Sequence, residues 1–437
     1  MRFIRSAKLI SFLWLGSICG AAFAFLTQVM LARNLSANEF GLFSSVMAMV
    51  LLVVPLAGFG VSQFWLKAFG EEGWSATKWL SASFRFVLIT TIISLLVLYI
   101  WASGGPHDSA TRNLIFVLSF YVLGQLAMEL VSGKYQLEEE YIKLAGWQLF
   151  PHLARFSVVA SLLLLLDSEF GAKEVGYMYT GVSIFFFIVG LYFLIAMRRG
   201  DFALKGHGAK PIVLDEKAIQ PSIVAVLASA WPFGVAAFSQ LVYYQSDIIL
   251  VKYYMGDAAA GIYNVSFTIM TAVYLFPGVV YQKFFLPKMH RWASASRDLF
   301  YEVYRVGNYI MLAFGILAAS VLWVLSDFVI GLLFGGQYDE SSRILQVLVL
   351  SAPVVFLAFS VGATLVTREH MRLKVKYMLW VAILNFSLNI IFIPIYGALG
   401  AAYTTLISNI ALLFLYYRGA QKIVFGRGFF DLRKNQL

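Results

Sequence analysis

The 437-residue sequence is poor in charge, in cysteine and in clustered histidine. Charged residues make up 13% of the chain, whereas a soluble domain is nearer about 25%, so a fully hydrated surface is excluded. The single cysteine, Cys19, excludes a disulfide framework and a thiolate metal site. The five histidines lack metal-site spacing and no P-loop is present, so ATP is excluded as an energy source. We expect no enzymatic activity.

Long apolar runs are what the chain has instead, since 60% of its residues are hydrophobic and 16% aromatic. Lipid offers no partner to an unpaired backbone group, so a run that crosses about 30 Å of hydrocarbon must be helical. We therefore predict an all-α integral membrane protein with twelve transmembrane helices. The predicted spans are 9–30, 40–64, 81–102, 113–133, 145–166, 175–197, 224–252, 260–282, 303–325, 344–366, 375–394 and 398–418.

Lysine and arginine are unevenly divided between the two sides of these spans. With the N-terminus in the cytoplasm, 27 of the 33 basic residues fall on the cytoplasmic side and five on the outer side. Basic residues concentrate on cytoplasmic loops in membrane proteins, so both termini are predicted to be cytoplasmic. The expected location is a bacterial cell inner membrane, where the basic tail would meet anionic headgroups.

The chain also carries an internal repeat. The segment VKYYMGDAAAGIY, which ends at Tyr263, resembles LARNLSANEFGLF, which ends 220 residues earlier at Phe43. We predict an N-lobe over 1–197 with helices 1–6, a linker over 198–221, a C-lobe over 222–418 with helices 7–12, and a basic cytoplasmic tail over 419–437. Six spans are an even number, so both lobes would insert with the same sense, related by a pseudo-two-fold axis along the membrane normal.

Asp247 is an acid within predicted span 7, and a carboxylate in such a segment is a functional candidate by default. Asn389 in span 11 and Thr405 in span 12 lie at similar depth, and Asn385 lies one turn from Asn389 on the same face. These four oxygen donors would suit a sodium ion, or Asp247 would bind a proton. Alternatively, the asparagines and threonine join helices by hydrogen bonds, and Asp247 accepts one from a tyrosine.

Three arginines lie in or near the spans of the first half: Arg33, Arg85 and Arg155. Arg33 ends span 1, where snorkelling to the interface would explain it. Arg85 and Glu129 lie at similar depth and would form an ion pair. Arg155 is roughly 15 Å deep, and an unpaired arginine at that depth should face a water-filled cavity. Because a guanidinium suits an anionic group, Arg155 is our leading substrate-binding candidate, with Arg85 and Arg33 as further candidates.

Four segments carry a resemblance to a known superfamily. They are LARNLSANEFGLFS, the stretch from Asp247 through Gly256 and Gly261 to Tyr263, LFGGQYDESSRILQVL and IPIYGALGAAYTTLIS. Together they resemble the multidrug/oligosaccharidyl-lipid/polysaccharide exporter superfamily, and within it the Wzx-type polysaccharide (O-antigen/capsule) flippase group.

The resemblance implies a flippase for surface polysaccharide biosynthesis, such as that of lipopolysaccharide O-antigen. Its substrate would be an undecaprenyl-diphosphate-linked oligosaccharide, moved from the inner to the outer leaflet by alternating access. Membrane lipids and polysaccharide polymerase machinery would be its partners, and nucleic acid would not. The superfamily's lipid II flippase also implies a sodium site on spans 7, 11 and 12. In that pattern the second member of the asparagine pair is an aspartate, and here it is Asn389, so a proton competes with sodium as the coupling ion.

Two other functions are weighed against this one. A cation-coupled multidrug antiporter of the same superfamily would want acids facing its cavity, whereas the first half has Arg85 and Arg155. A membrane glycosyl polymerase or ligase would need catalytic groups on a sizeable outer loop, and the largest such loop, around Asp327–Arg343, is short. The identity of the glycan is left open by the sequence.

Overall fold

A computed structural model describes residues 2–165, 170–208, 220–281, 297–366 and 371–426, with side chains described from residue 15 onward except at 165 and 297–299. Over these ranges the chain is helical and contains no β-strand. The described helices are α1 (Arg2–Asn34), α2 (Ala37–Val53), α3 (Val61–Glu72), α4 (Lys78–Gly104), α5 (Ser109–Leu118), α6 (Phe120–Leu137), α7 (Tyr141–Leu165), α8 (Ala172–Arg198), α9 (Ile223–Met255), α10 (Asp257–Gly278), α11 (Arg297–Leu333), α12 (Ser341–Val349), α13 (Ala352–Thr364), α14 (Met371–Tyr396) and α15 (Ala398–Gly419).

The predicted all-helical membrane fold is confirmed. In the described ranges, nine stretches are long and apolar enough to cross a membrane, or ten if α12 and α13, which meet at 42°, form one bent span. Each of the twelve predicted runs lies largely in helical structure. The twelve predicted spans outnumber the nine or ten stretches in part because 37–104 is a single apolar stretch that contains α2, α3 and α4. Twelve separate crossings therefore remain a prediction.

The break after α2 is the clearest departure from the predicted spans. The sequence predicts one span over 40–64, but α2 ends at Val53 and α3 begins at Val61. Pro55 has no backbone N–H to continue the helix. Gly58 and Gly60 then adopt φ of 78° and 80°, which glycine reaches without strain. The chain therefore breaks inside an apolar run that hydropathy alone reads as continuous.

The chain divides into two compact units, Met1–Leu241 and Val242–Leu437. In the first unit α1 packs along α7, and α6 along α8; in the second, α14 packs along α15, and α11 along α13. Small residues permit the closest approaches: a Cβ on Gly124 would lie 2.7 Å from Ser183 Cβ, and one on Gly400 would lie 2.3 Å from the Phe392 carbonyl oxygen. Such close backbone packing is typical of helices in membranes.

The start of the predicted linker is packed onto the first unit. The Phe202 ring contacts the rings of Phe69 and Trp74, with centroids 5.5 and 5.4 Å apart. The Ala203 backbone N–H donates to Glu138 Oε1 at 3.4 Å. Glu138 in turn forms a 2.7 Å ion pair with Lys134, and the two side chains are only 10% and 7% exposed. The rest of the linker, 209–219, lies outside the described residues.

We predict that Lys134→Met destabilises the protein far more than Lys143→Met. Removing Lys134 leaves the Glu138 carboxylate buried without its cation, which costs about 3–5 kcal/mol. The control pair, Lys143 with Glu140, is 61% and 44% exposed, and its loss should cost less than about 1 kcal/mol. Denaturant unfolding of the purified variants measures both. Equal losses would mean that the buried pair contributes no more than a surface one.

Candidate ion and substrate sites

Asp247 lies in α9 with 1% of its surface exposed, and its carboxylate is held by side chains from three other helices. Asn389 Nδ2, on α14, donates to Oδ1 at 2.6 Å. Oδ2 accepts from the Thr405 hydroxyl on α15 at 2.5 Å and from the Tyr263 hydroxyl on α10 at 2.7 Å. The structure thus brings the predicted residues together around one carboxylate.

A second layer of polar groups positions these donors. Asn385 Oδ1 accepts from Ser246 Oγ at 3.0 Å and from Asn389 Nδ2 at 3.2 Å. The Thr404 hydroxyl donates to Asn389 Oδ1. Asn385 Nδ2 is buried and has no hydrogen-bond partner. Hydrogen bonds therefore orient both asparagines in this conformation.

Three of these groups, Tyr263, Ser246 and Thr404, are not among the residues predicted from the sequence. A tyrosine donor was expected but not assigned to Tyr263, although the repeat contains a signal for it, since Phe43 stands at the corresponding place and has no hydroxyl. Ser246 and Thr404 adjoin predicted residues and gave no separate signal, because short hydroxyl side chains are common in membrane helices.

The pattern of α14 explains why its polar pair faces inward. Asn385 and Asn389 lie one turn apart and are both fully buried. The opposite side exposes apolar residues, among them Ile383 and Ile390. Lipid accepts such side chains, whereas an amide needs a hydrogen-bond partner that only neighbouring helices supply. The helix therefore turns its polar face into the second unit.

The donor set fits a monovalent cation or a proton better than a transition metal. No group of three or more His, Cys, Asp or Glu residues suited to a metal occurs among the described residues. One carboxylate, two amide oxygens and two hydroxyls are hard oxygen ligands. Rotating the Asn389 amide would turn its oxygen toward Asp247. In the observed arrangement only neutral groups offset the buried charge, so a bound cation or proton would remove a large desolvation cost.

Arg155 lies in the first unit and is only 6% exposed. Its guanidinium carbon is 4.8 Å from the centroid of the Tyr121 ring and 5.4 Å from that of Tyr179. Aromatic faces attract a guanidinium, which stabilises the buried charge. Its Nε has no hydrogen-bond partner, and no described carboxylate lies within ion-pair distance. The positive charge is therefore not neutralised within the described part of the chain.

The predicted ion pair between Arg85 and Glu129 is wrong. Arg85 is exposed and turns back along its own helix, where it donates to the Ser81 carbonyl oxygen and hydroxyl, each at 3.4 Å. Arg33 is exposed in the last turn of α1. Arg33, Arg85 and Arg155 lie on three different helices, α1, α4 and α7. Of the three predicted substrate contacts, Arg155 is the one that is buried.

A comparison with protein families shows which family the chain belongs to. Residues 6–291 match the family model described as polysaccharide biosynthesis protein. The chain belongs to this family. Among curated relatives of this family member, a capsular polysaccharide biosynthesis protein, CapF of Staphylococcus aureus, is 23% identical over 350 residues, which is 79% of this chain and 83% of the relative. A probable low-salt glycan biosynthesis flippase, Agl15 of Haloferax volcanii, is 22% identical over 402 residues, or 91% of this chain and 79% of the relative.

Solved structures of transporters share the fold of this family member. The lipid II flippase MurJ in an inward closed conformation aligns with a TM-score of 0.71 at 13% identity, covering 93% of this chain and 87% of that one. An inward-facing multidrug resistance transporter of the MATE family aligns with a TM-score of 0.67 at 12% identity, covering 92% and 94%. The resemblance inferred from the four sequence segments is confirmed.

Proposed function

We propose that the chain is a flippase that moves a polyprenyl-diphosphate-linked oligosaccharide from the inner to the outer leaflet by alternating access, for surface polysaccharide biosynthesis. The family affiliation and the fold shared with a lipid II flippase support a lipid-linked substrate. The observation that carries the proposal is the buried Arg155 guanidinium without a carboxylate partner, because such a charge selects an anionic cargo. The chain acts as a transporter and not as an enzyme, and polymerase machinery would receive its product.

Arg155 is the proposed contact for the diphosphate, and the exposed Arg33 and Arg85 are proposed further contacts for the substrate. The rings of Tyr121 and Tyr179 hold the Arg155 side chain in place before the substrate arrives. A side chain ordered in advance loses less conformational entropy on binding. Substrate oxygens would give the unpaired Nε the acceptor that the protein does not provide.

The membrane potential favours this transport direction, and a cation at Asp247 would return the empty carrier. Moving about two negative charges outward through an inside-negative potential gains about 2.3 kcal/mol per charge per 100 mV. We propose Asp247, Asn385, Asn389 and Thr405 as the coupling site for Na⁺ or H⁺, completed by the Tyr263 hydroxyl. The hydrogen bonds that gather these groups around one carboxylate support this proposal.

The charge distribution supports a bacterial inner-membrane location with both termini in the cytoplasm. Twelve crossings in two lobes, 1–197 and 222–418, related by a pseudo-two-fold axis, complete the proposed topology. Asp247 would then lie nearer the outer side of the membrane.

We predict the following labelling in a Cys19→Ala background. The cysteines of Ser103→Cys and Gln337→Cys should react with an impermeant reagent on intact cells, and that of Gly208→Cys only after permeabilisation. All three positions are exposed in the structure, so accessibility depends on the side of the membrane. Labelling of the Gly208→Cys variant on intact cells would overturn the topology.

Flipping by protein reconstituted in proteoliposomes tests the coupling site. With sodium and pH gradients imposed separately, one gradient should accelerate transport by the wild type, and Asp247→Asn should abolish that response. The amide keeps the size of the side chain but removes the charge that binds the cation, and typical coupling energies change the affinity for a coupled ligand about 5- to 150-fold. The control Asp327→Asn removes an exposed acid and should transport normally. A wild type indifferent to both gradients, with an active Asp247→Asn, would assign a structural role to the carboxylate.

Arg155→Ala tests the substrate contact. Loss of a charge-assisted contact to diphosphate should lower flipping and substrate affinity by about 10- to 100-fold, while the protein still accumulates in the membrane. Arg155→Lys should recover part of both, because it keeps the charge without the planar fork. Arg112→Ala, at an exposed outer position, should resemble the wild type. Normal polysaccharide made by Arg155→Ala would remove Arg155 from the transport path.

A further inference from the structure

Three side chains in the second unit lie on the same helix faces as residues of the Asp247 site, but at a different depth in the membrane. Tyr274 lies eleven residues after Tyr263 on α10, Tyr416 eleven after Thr405 on α15, and Lys374 eleven before Asn385 on α14. Eleven residues are close to three helical turns, so each lies on the same helix face, about 16 Å away along the axis. Because α14 and α15 run in opposite directions, Lys374 and Tyr416 are displaced in the same sense.

The structure brings Lys374 and Tyr416 together at that depth. Lys374 Nζ lies 5.8 Å from the centroid of the Tyr416 ring, and Tyr416 is 4% exposed. Lys374 forms no ion pair or hydrogen bond with any described residue. A lysine in this setting has a ring face as its neighbour and no anion. Lys376, two residues further along the same helix, is exposed.

Tyrosines lie at both ends of the interval between Lys374 and Asp247, with Tyr274 and Tyr416 at the depth of Lys374. Tyr243 lies one turn before Asp247 on α9, and its hydroxyl is buried without a hydrogen-bond partner. The Tyr274 hydroxyl is within 2.5 Å of Ser351 Oγ. The Tyr243 hydroxyl and the Tyr416 side chain are buried and neutral, so they screen the two opposite charges less than water would.

We propose that Lys374 sets the sodium affinity of the Asp247 site through this weakly screened interior; the inference rests on the proposed coupling role of Asp247. With the axial rise of about 16 Å between Lys374 and Asn385 taken as the separation of the charges, and an effective dielectric constant of about 20, the lysine weakens cation binding about fivefold. A transport site must bind its ion strongly enough to take it up and weakly enough to release it in every cycle. Lys374 would therefore set the affinity of the site without touching the ion.

Direct binding of radioactive sodium to the purified full-length protein tests this role. Lys374→Gln should tighten sodium binding about fivefold and Lys374→Glu about 25-fold, since charge reversal doubles the electrostatic effect. Lys374→Arg keeps the charge and should bind as the wild type does. The matched control, Lys376→Gln, removes a solvated charge and should change affinity less than about 1.5-fold.

The pattern of results separates this inference from the proposed coupling site. Sodium binding that Asp247→Asn abolishes, but that Lys374→Gln and Lys374→Glu leave unchanged, overturns the role of Lys374 alone. A wild type that binds no sodium overturns the sodium site and the inference together. If Lys374→Gln does not fold, the ordering of Lys374→Glu, Lys374→Arg and the wild type decides the same question.

Discussion

The second unit is organised by one requirement, the hydrogen bonding of a carboxylate that has been removed from water. Asp247 obtains its donors from α10, α14 and α15, each contributing one side chain. Every donor is neutral, so the hydrogen bonds are satisfied while the charge is not compensated. Four helices are thus joined at one depth by the Asp247 carboxylate. Binding a proton or a cation would reduce the cost of burying its charge. A structural cluster built only for stability would be better served by an apolar core.

The first unit has an uncharged residue at the place that corresponds to Asp247. At the place that corresponds to Asp247 it has Thr27, whose hydroxyl donates to the Phe23 carbonyl oxygen of its own helix at 2.7 Å. Besides the Lys134–Glu138 ion pair, its buried charges include the Arg155 guanidinium, which aromatic rings hold. Among the described residues Arg155 has no carboxylate in ion-pair distance and Asp247 has no cation, so the two units contain unpaired buried charges of opposite sign. This asymmetry suits a carrier that handles an anionic cargo and a cation in the same cycle.

The depth of a residue in the membrane was predictable from the sequence, but the side of the helix that faces a given neighbour was not. The rise per residue places Asp247, Asn389 and Thr405 at one level, and the structure joins them. The same reasoning failed for Arg85 and Glu129, because equal depth does not make two helices face each other. Likewise, hydropathy could not locate the break after Val53, since the residues between α2 and α3 are as apolar as those within them. How the helices pack decides both which side chains face each other and where the helix breaks.

The network around Asp247 also forms in stages while the chain is being synthesised. Its partner Asn389 lies 142 residues further along the chain, and ribosomes add about 5–20 residues per second. Tyr263 follows Asp247 by only 16 residues, but for roughly 7–30 s α9 exists while the chain up to Asn389 is still being made. An acid at the centre of a membrane helix raises the cost of insertion by about 2.5–3.5 kcal/mol, and the cost is smaller nearer the helix end. The apolar remainder of α9 has to offset that cost during synthesis, before α14 and α15 are available.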